Sequence, residues 1–171
     1  VRRDPNGCYI LMDIEILGKC MTLVNLYGPS CGDKPDFFNF ISNCVTEIGN
    51  DFVVMGGDWN CVLNMKVDAR NYSSIISRPR TRAKLTEMMT TLDVVDVYRE
   101  MYPLKREYTW RRFNTIKQGR LDYFLISQEL TSEVKGCIIK SGYRSDHSLV
   151  TLIFKKESFK KDRQFWKFNN S

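Results

Sequence analysis

An α/β sandwich, sheet layers flanked by helices, is the fold class that this sequence predicts. Three observations point there. Strand-like and helix-like segments alternate along the chain, with no internal repeat. Apolar residues make up 43% and aromatics 12% of 171 residues, enough for one sizeable core. No apolar run approaches the roughly 18 to 20 residues of a membrane-spanning helix, so no membrane partner is expected.

The elements follow in order. Tyr9 to Glu15 reads as a strand, and after a turn at Gly18 and Lys19, Met21 to Leu26 reads as its hairpin partner. Pro35 suits the first turn of a helix, along which Phe37, Ile41, Cys44 and Ile48 recur at helical spacing. Phe38, Phe40 and Val45 widen that stripe, and Gly49-Asn50 stops it. Phe52 to Met55 is a short apolar strand ending in Gly56-Gly57, and residues 64–81 read as a long polar loop. Thr81 then caps a helix with Leu85, Met88, Met89 and Leu92 on its apolar side, and Asp93 to Met101 reads as a second helical piece. Strands are expected at Tyr108 to Arg111, Leu121 to Ile126 and Leu149 to Phe154, with a shorter one near Cys137 to Ile139.

Charge and cysteine usage narrow the class. The net charge is +6, and +4 of it lies between Lys155 and Ser171, so the body, residues 1–154, is only mildly basic and 155–171 forms a basic tail. Bulk charge alone is therefore a weak argument for nucleic acid. Six cysteines form no CxxC pair, and a single histidine leaves no zinc-finger spacing. The first residues carry no apolar stretch of the signal-peptide kind. A reducing, intracellular compartment is expected rather than secretion.

Three short motifs place polar groups directly beside apolar strands. In Gly56-Gly57-Asp58-Trp59-Asn60, a carboxylate and a carboxamide stand two residues apart at a strand end. They can orient a water, hold a metal or donate to a phosphate oxygen, or they can simply close an Asx-type turn. In Arg120-Leu121-Asp122-Tyr123, an acid in an apolar strand needs a partner, either an arginine or a histidine. Ser145-Asp146-His147-Ser148 contains the one histidine of the chain at the start of a strand, flanked by an acid and hydroxyls. It is a general base, a cation facing phosphate, or a satisfied surface group.

Together with Val24-Asn25-Leu26-Tyr27-Gly28-Pro29 and Tyr108-Thr109-Trp110, these motifs in this order resemble the exonuclease–endonuclease–phosphatase superfamily of metal-dependent phosphodiesterases. Within it, the chain is similar to the endonuclease domain of LINE-type non-LTR retrotransposons, with Trp166 to Ser171 resembling the start of a connector to a reverse transcriptase. The resemblance implies a DNase I-like two-sheet α/β sandwich, Mg²⁺ or Mn²⁺ as cofactor, DNA as partner and a nuclear site of action. Tyr27 would contact the scissile phosphate or help place the metal shell. Asp58 would orient and deprotonate the attacking water, and Asn60 would stabilise the phosphorane. Asp122 would bond His147 and keep it cationic against a phosphate oxygen, and Asp146 would belong to the metal environment.

Thr109 would lie beside the DNA-facing surface. On physical grounds, the basic hairpin loop with Arg111, Arg112 and Lys117 around Phe113, and the polar stretch with Arg78 and Arg80, are further DNA-contacting candidates. Family members also carry an earlier stretch that supplies an Asn and a metal-binding Glu, and neither has a matching position here. The expected sandwich is therefore incomplete at its N-terminus, with a sheet edge and an apolar face left open. Two functions follow: a DNA-nicking endonuclease, or a catalytically silent retroelement remnant that at most binds nucleic acid or another protein.

Overall fold

In the computed structural model, residues 1–16, 18–71, 78–113, 116–142 and 144–155 are described. The tail beyond residue 155, read as a connector, lies outside them. The strands are β1 (Arg2–Arg3), β2 (Tyr9–Ile16), β3 (Lys19–Tyr27), β4 (Phe52–Asp58), β5 (Ala69–Arg70), β6 (Val94–Asp96), β7 (Trp110–Arg111), β8 (Gln118–Gly119), β9 (Asp122–Ser127), β10 (Val134–Lys140) and β11 (Leu149–Phe154). The helices are α1 (Pro35–Ile48), α2 (Pro79–Thr91) and α3 (Val97–Met101).

Six strands form one mixed sheet in the order β1-β2-β3-β4-β9-β6. Because side chains alternate along a strand, each strand serves both faces. Val24 and Leu26 of β3, Val53 and Met55 of β4, and Tyr123 and Leu125 of β9 face α1 and α2. Met21 and Leu23, Phe52 and Val54, and Phe124 and Ile126 face α3 and the hairpin β10-β11. The hairpin is a second sheet laid on the first, which makes the α/β sandwich. A third, small sheet, β5-β8-β7, stands at one rim.

The helix α1 starts at Pro35 and ends at Gly49, which adopts a left-handed conformation and donates its N–H to Val45. Phe38, Ile41, Cys44 and Val45 are buried, whereas Phe40 is 46% exposed and packs at a tilt against the Tyr9 ring. Three expectations are corrected. The strand β4 does not stop at Gly56-Gly57 but runs through both to Asp58. Gly57 sits between β3 and β9 at φ 142°, and a Cβ there would lie 1.9 Å from the Leu26 carbonyl oxygen, so only glycine lets the strand continue.

Thr81 does not cap α2. The helix begins two residues earlier, at Pro79, and Thr81 is buried with its hydroxyl and N–H both on Asp33, an acid supplied by a distant loop. Residues 93–101 are not one helical piece. Val94–Asp96 pairs with β9 as an edge strand, and Asp96 then caps α3 by accepting from the Arg99 N–H. Two adjacent β-branched residues beside an open sheet edge favour pairing there over helix.

One buried ion cluster ties these elements together. Arg120, with 0% exposure, donates from Nε and Nη2 to Asp68 at 2.7 and 2.9 Å and from Nη1 to Asp96 at 3.1 Å. Arg99 adds a bond from Nε to Asp68 at 3.0 Å. The Arg120 guanidinium also lies 5.0 Å from the Tyr123 ring centroid and 5.5 Å from that of Tyr98. Burial pushes the Asp68 carboxyl up, but its bonds to Arg120 and Arg99 outweigh that and leave it below the usual range. Among the described residues no buried side-chain N or O lacks a partner.

Replacing Arg120 with Met leaves two carboxylates buried without their shared cation. Removing one side of a buried ion pair costs about 3–5 kcal/mol, so Arg120→Met is expected to lower unfolding free energy by that amount in urea titration. A change under about 1 kcal/mol would show that the cluster does not organise the fold.

Candidate active site

Three strand ends meet at one rim. In the parallel pair β3-β4, Tyr27 stands opposite Asp58, and in the antiparallel pair β4-β9, Asp58 stands opposite Asp122. The chain turns sharply after Asp58 because Trp59 is drawn into the core. Trp59 is fully buried, stacks on the Tyr123 ring at 5.1 Å and donates its indole N–H to the Tyr123 carbonyl at 2.9 Å. Gly28 permits the close approach of the neighbouring loop, since a Cβ there would lie 2.3 Å from the Trp59 carbonyl oxygen.

Asn60 is held on the same side as Asp58. Its backbone N–H donates to Asp58 Oδ1 at 2.9 Å, and its Nδ2 donates to Asp58 Oδ2 at 3.1 Å and to the Gly28 carbonyl at 3.0 Å. The Asx-type turn and the projecting pair, two readings of the sequence, are thus one arrangement.

Asp122 takes histidine, not arginine, as its partner: Oδ2 lies 2.9 Å from His147 Nδ1. The imidazole is brought there by a backbone bridge between Trp110 and His147 and by the Ser148 N–H, which donates to the Thr109 carbonyl at 2.6 Å. Ligand-capable atoms of Asp58, Asp122 and His147 all lie within 4.8 Å of one another. Two carboxylates and an imidazole at that spacing form a group able to hold a metal ion.

The electrostatics of Asp58 follow from this crowding. Burial is the main cause that raises its pKa, to about 6, and the opposed Asp122 charge adds to it. The Asn60 N–H, His147 and Arg78 act in the other direction. A carboxylate that binds protons near neutrality is suited to accept one from water.

A cavity of about 350 Å³ opens beside this group, lined by Tyr27, Asp58, Asn60, Arg78, Lys117 and His147 among others, while Asp122 lines an adjoining groove that it shares with Asp58. Asp146 is exposed at its rim, with Oδ2 accepting from the Trp110 indole N–H at 3.0 Å, and is not part of the close group. Lys117 places its ammonium 5.6 Å from the Trp110 ring centroid, and burial together with the Arg112 and Arg78 charges lowers its pKa. Arg111 and Arg112 are exposed on the neighbouring hairpin, Arg111 donating to the Ser148 hydroxyl at 3.2 Å.

Arg80 lies outside the cavity, on an adjoining groove that also reaches Tyr27. Thr109 requires a correction. It is fully buried, and its hydroxyl accepts the Leu121 and Asp122 N–H groups at 2.9 Å each, so it supports Asp122 from beneath and does not meet a DNA surface.

Trp59 and Trp110 are the contributors that site-by-site reading of the sequence passed over. Only Trp59 left a signal in the sequence, a large aromatic set between two polar site residues.

The Asp58 carboxyl carbon is expected to titrate near pH 6 by NMR in metal-free protein. In Asp122→Asn the midpoint moves down, because an opposed negative charge is gone. A wild-type midpoint near 4 would show that the carboxylate is not buried as described.

No family model matches the chain. It is 30% identical over 169 residues to the Transposon TX1 uncharacterized 149 kDa protein of Xenopus laevis, covering 96% of this chain but only 13% of that protein. Solved structures with a similar fold include an AP endonuclease from Archaeoglobus fulgidus (TM-score 0.71, 20% identity, 84% of this chain and 64% of that one). The Xenopus laevis APE2 catalytic domain gives a TM-score of 0.73 at 20% identity, over 87% of this chain and 55% of that one. The 3'-5' exonuclease NExo from Neisseria meningitidis gives 0.65 at 20%, over 88% and 66%. The chain thus spans between about half and two thirds of the structures it resembles and a small part of its transposon relative. The chain thus shares the α/β sandwich fold of these solved structures.

Proposed function

We propose that this chain is the phosphodiester-cleaving part of a retrotransposon polypeptide, a divalent-metal-dependent endonuclease that nicks one strand of DNA. The observation that carries the reading is the gathering of Asp58, Asp122 and His147 within 4.8 Å, with Asn60 bonded to Asp58 and an open cavity reaching Asp58, Asn60 and His147. The similarity to a transposon protein supports the retroelement context, and reverse transcriptase is the partner activity proposed elsewhere in the parent polypeptide.

The donor set fits a small divalent cation. Asp58 and Asp122 offer oxygen ligands from facing strand positions, and Asp146 offers another at the cavity rim. Mg²⁺ or Mn²⁺ bound there supplies positive charge to a phosphoryl oxygen. The protein's own groups do the rest. Asp58 accepts the proton of a water that Asn60 helps to orient. The Asp122 bond fixes the tautomer and angle of the His147 ring, leaving its other nitrogen to donate to a non-bridging oxygen. Tyr27, 51% exposed at the end of β3, borders the phosphate position. The ammonium and guanidinium groups of Lys117, Arg111 and Arg112 face the flanking backbone of the nucleic acid.

A supercoiled-plasmid assay tests this reading. The wild-type chain is expected to yield open circles with Mg²⁺ or Mn²⁺ and none with EDTA. Loss of a general base or of a group stabilising developing charge costs about 10²–10⁴ in rate, so Asp58→Ala and His147→Ala are each expected to fall by that factor. Nicking that is indifferent to metal, or equal in wild type and both variants, would overturn the assignment. A chain that binds DNA without cutting it would favour the silent remnant.

A further inference from the structure

Arg78 occupies the N-cap position of α2 with a left-handed backbone, φ 43°. Its guanidinium meets three carbonyl oxygens. Nη1 donates to Pro29 at 2.5 Å and to Asn60 at 2.6 Å, and Nη2 donates to Ser30. Pro29 and Ser30 lie on the loop that leaves β3 just after Tyr27, whereas Asn60 lies on the loop that leaves β4 just after Asp58. One planar cation therefore joins the two loops that border the cavity. Both hydrogens of Nη1 are committed.

The arginine is itself anchored. Asp33, from the β3 side, accepts the Arg80 N–H at 3.1 Å and the Thr81 N–H and hydroxyl at 2.6 Å each. The first turn of α2 is thus gripped by side-chain bonds in both directions, Arg78 to the loop and Asp33 to the helix. Asn60 has little freedom left as a result. Its backbone is left-handed at φ 49°, its N–H is on Asp58, both Nδ2 hydrogens are used, and its carbonyl is on Arg78.

We propose that Arg78 is a positioning residue: its guanidinium locks the β3 and β4 exit loops together and thereby holds the Asn60 carboxamide against Asp58. It does so in place of the DNA contact that its position in a basic stretch suggests. The proposal deepens the hydrolytic reading given above and rests on it for its kinetic consequence, although the structural consequence is independent.

The test compares wild type, Arg78→Ala and Arg78→Lys in steady-state nicking and in NMR of the Asn60 side-chain amide. Misplacing a reacting group by about 1 Å costs up to about a hundredfold in rate. Arg78→Ala is expected to lower kcat about ten- to a hundredfold with KM changed less than about threefold. Arg78→Lys, which keeps the charge and one donor, regains part of that loss.

In NMR, the Asn60 amide protons are expected to be protected from solvent exchange in wild type. They lose that protection in Arg78→Ala while the Trp59 indole signal stays in place. A rise in KM at unchanged kcat, with the slope of log affinity against log salt reduced by about one, would identify a phosphate contact and overturn the proposal. Unchanged Asn60 protection would overturn it too. If wild type does not nick at all, the proposed function fails, and the NMR comparison still decides the role of Arg78. Should Arg78→Ala not fold, Arg78→Gln, which keeps one donating amide, is read by the same two signals.

Discussion

Two carboxylates of like charge face each other across a strand pair, Asp58 on β4 and Asp122 on β9. Such a pair is unfavourable on its own, and much of the local structure answers to it. Asn60 donates two hydrogen bonds to one carboxylate, and His147 binds the other. Burial, with the opposed Asp122 charge adding to it, still leaves Asp58 holding protons up to about pH 6. A site that concentrates negative charge and then leaves an opening over it is suited to a cation and to the phosphate that the cation attracts.

The site depends on rigid elements beneath it. Trp59, clamped between aromatic rings, sets the turn that separates Asp58 from Asn60 by one buried residue. The Thr109 hydroxyl receives the first N–H groups of β9 and so fixes where Asp122 begins. The Arg120 cluster lies immediately before that strand and links it to β6, α3 and the residue leading into β5. Precision at the rim therefore comes from groups that never reach the cavity. Thermodynamic damage and catalytic damage should accordingly separate by residue, with Arg120 acting on stability and His147 on chemistry.

Much of this was legible in the sequence where the determinants are local. Alternation marked β2 and β3, the helical stripe with Pro35 and Gly49 marked α1, and the apolar run of β11 stood out. The polar words at strand ends named Asp58, Asn60, Asp122 and His147, and the fold brings these four together. What escaped depends on partners far along the chain. Asp33 serves α2 from 48 residues away, so its bonds to Thr81 could not be read locally, although Pro79 marks the first turn of that helix as Pro35 does that of α1. Arg120 draws its acids from positions 68 and 96, so the arginine two residues before Asp122 satisfies other carboxylates and leaves Asp122 to histidine. Gly57 reads as a chain break in sequence, yet it is the residue that lets a central strand pass close to its neighbour. Thr109, next to exposed basic residues, gave no sign that its own side chain was buried.

The central claim is that Asp58 and Asp122, with His147 bonded beside them, form the group that receives a divalent cation during phosphodiester cleavage. The most direct measurement is an anomalous-scattering crystal structure of the protein soaked in Mn²⁺. The account predicts an anomalous peak within about 2.5 Å of carboxylate oxygens of this group, at the floor of the cavity lined by Asn60 and Tyr27. A manganese ion bound only elsewhere, or carboxylates at 58 and 122 turned away from each other with no peak between them, would contradict it.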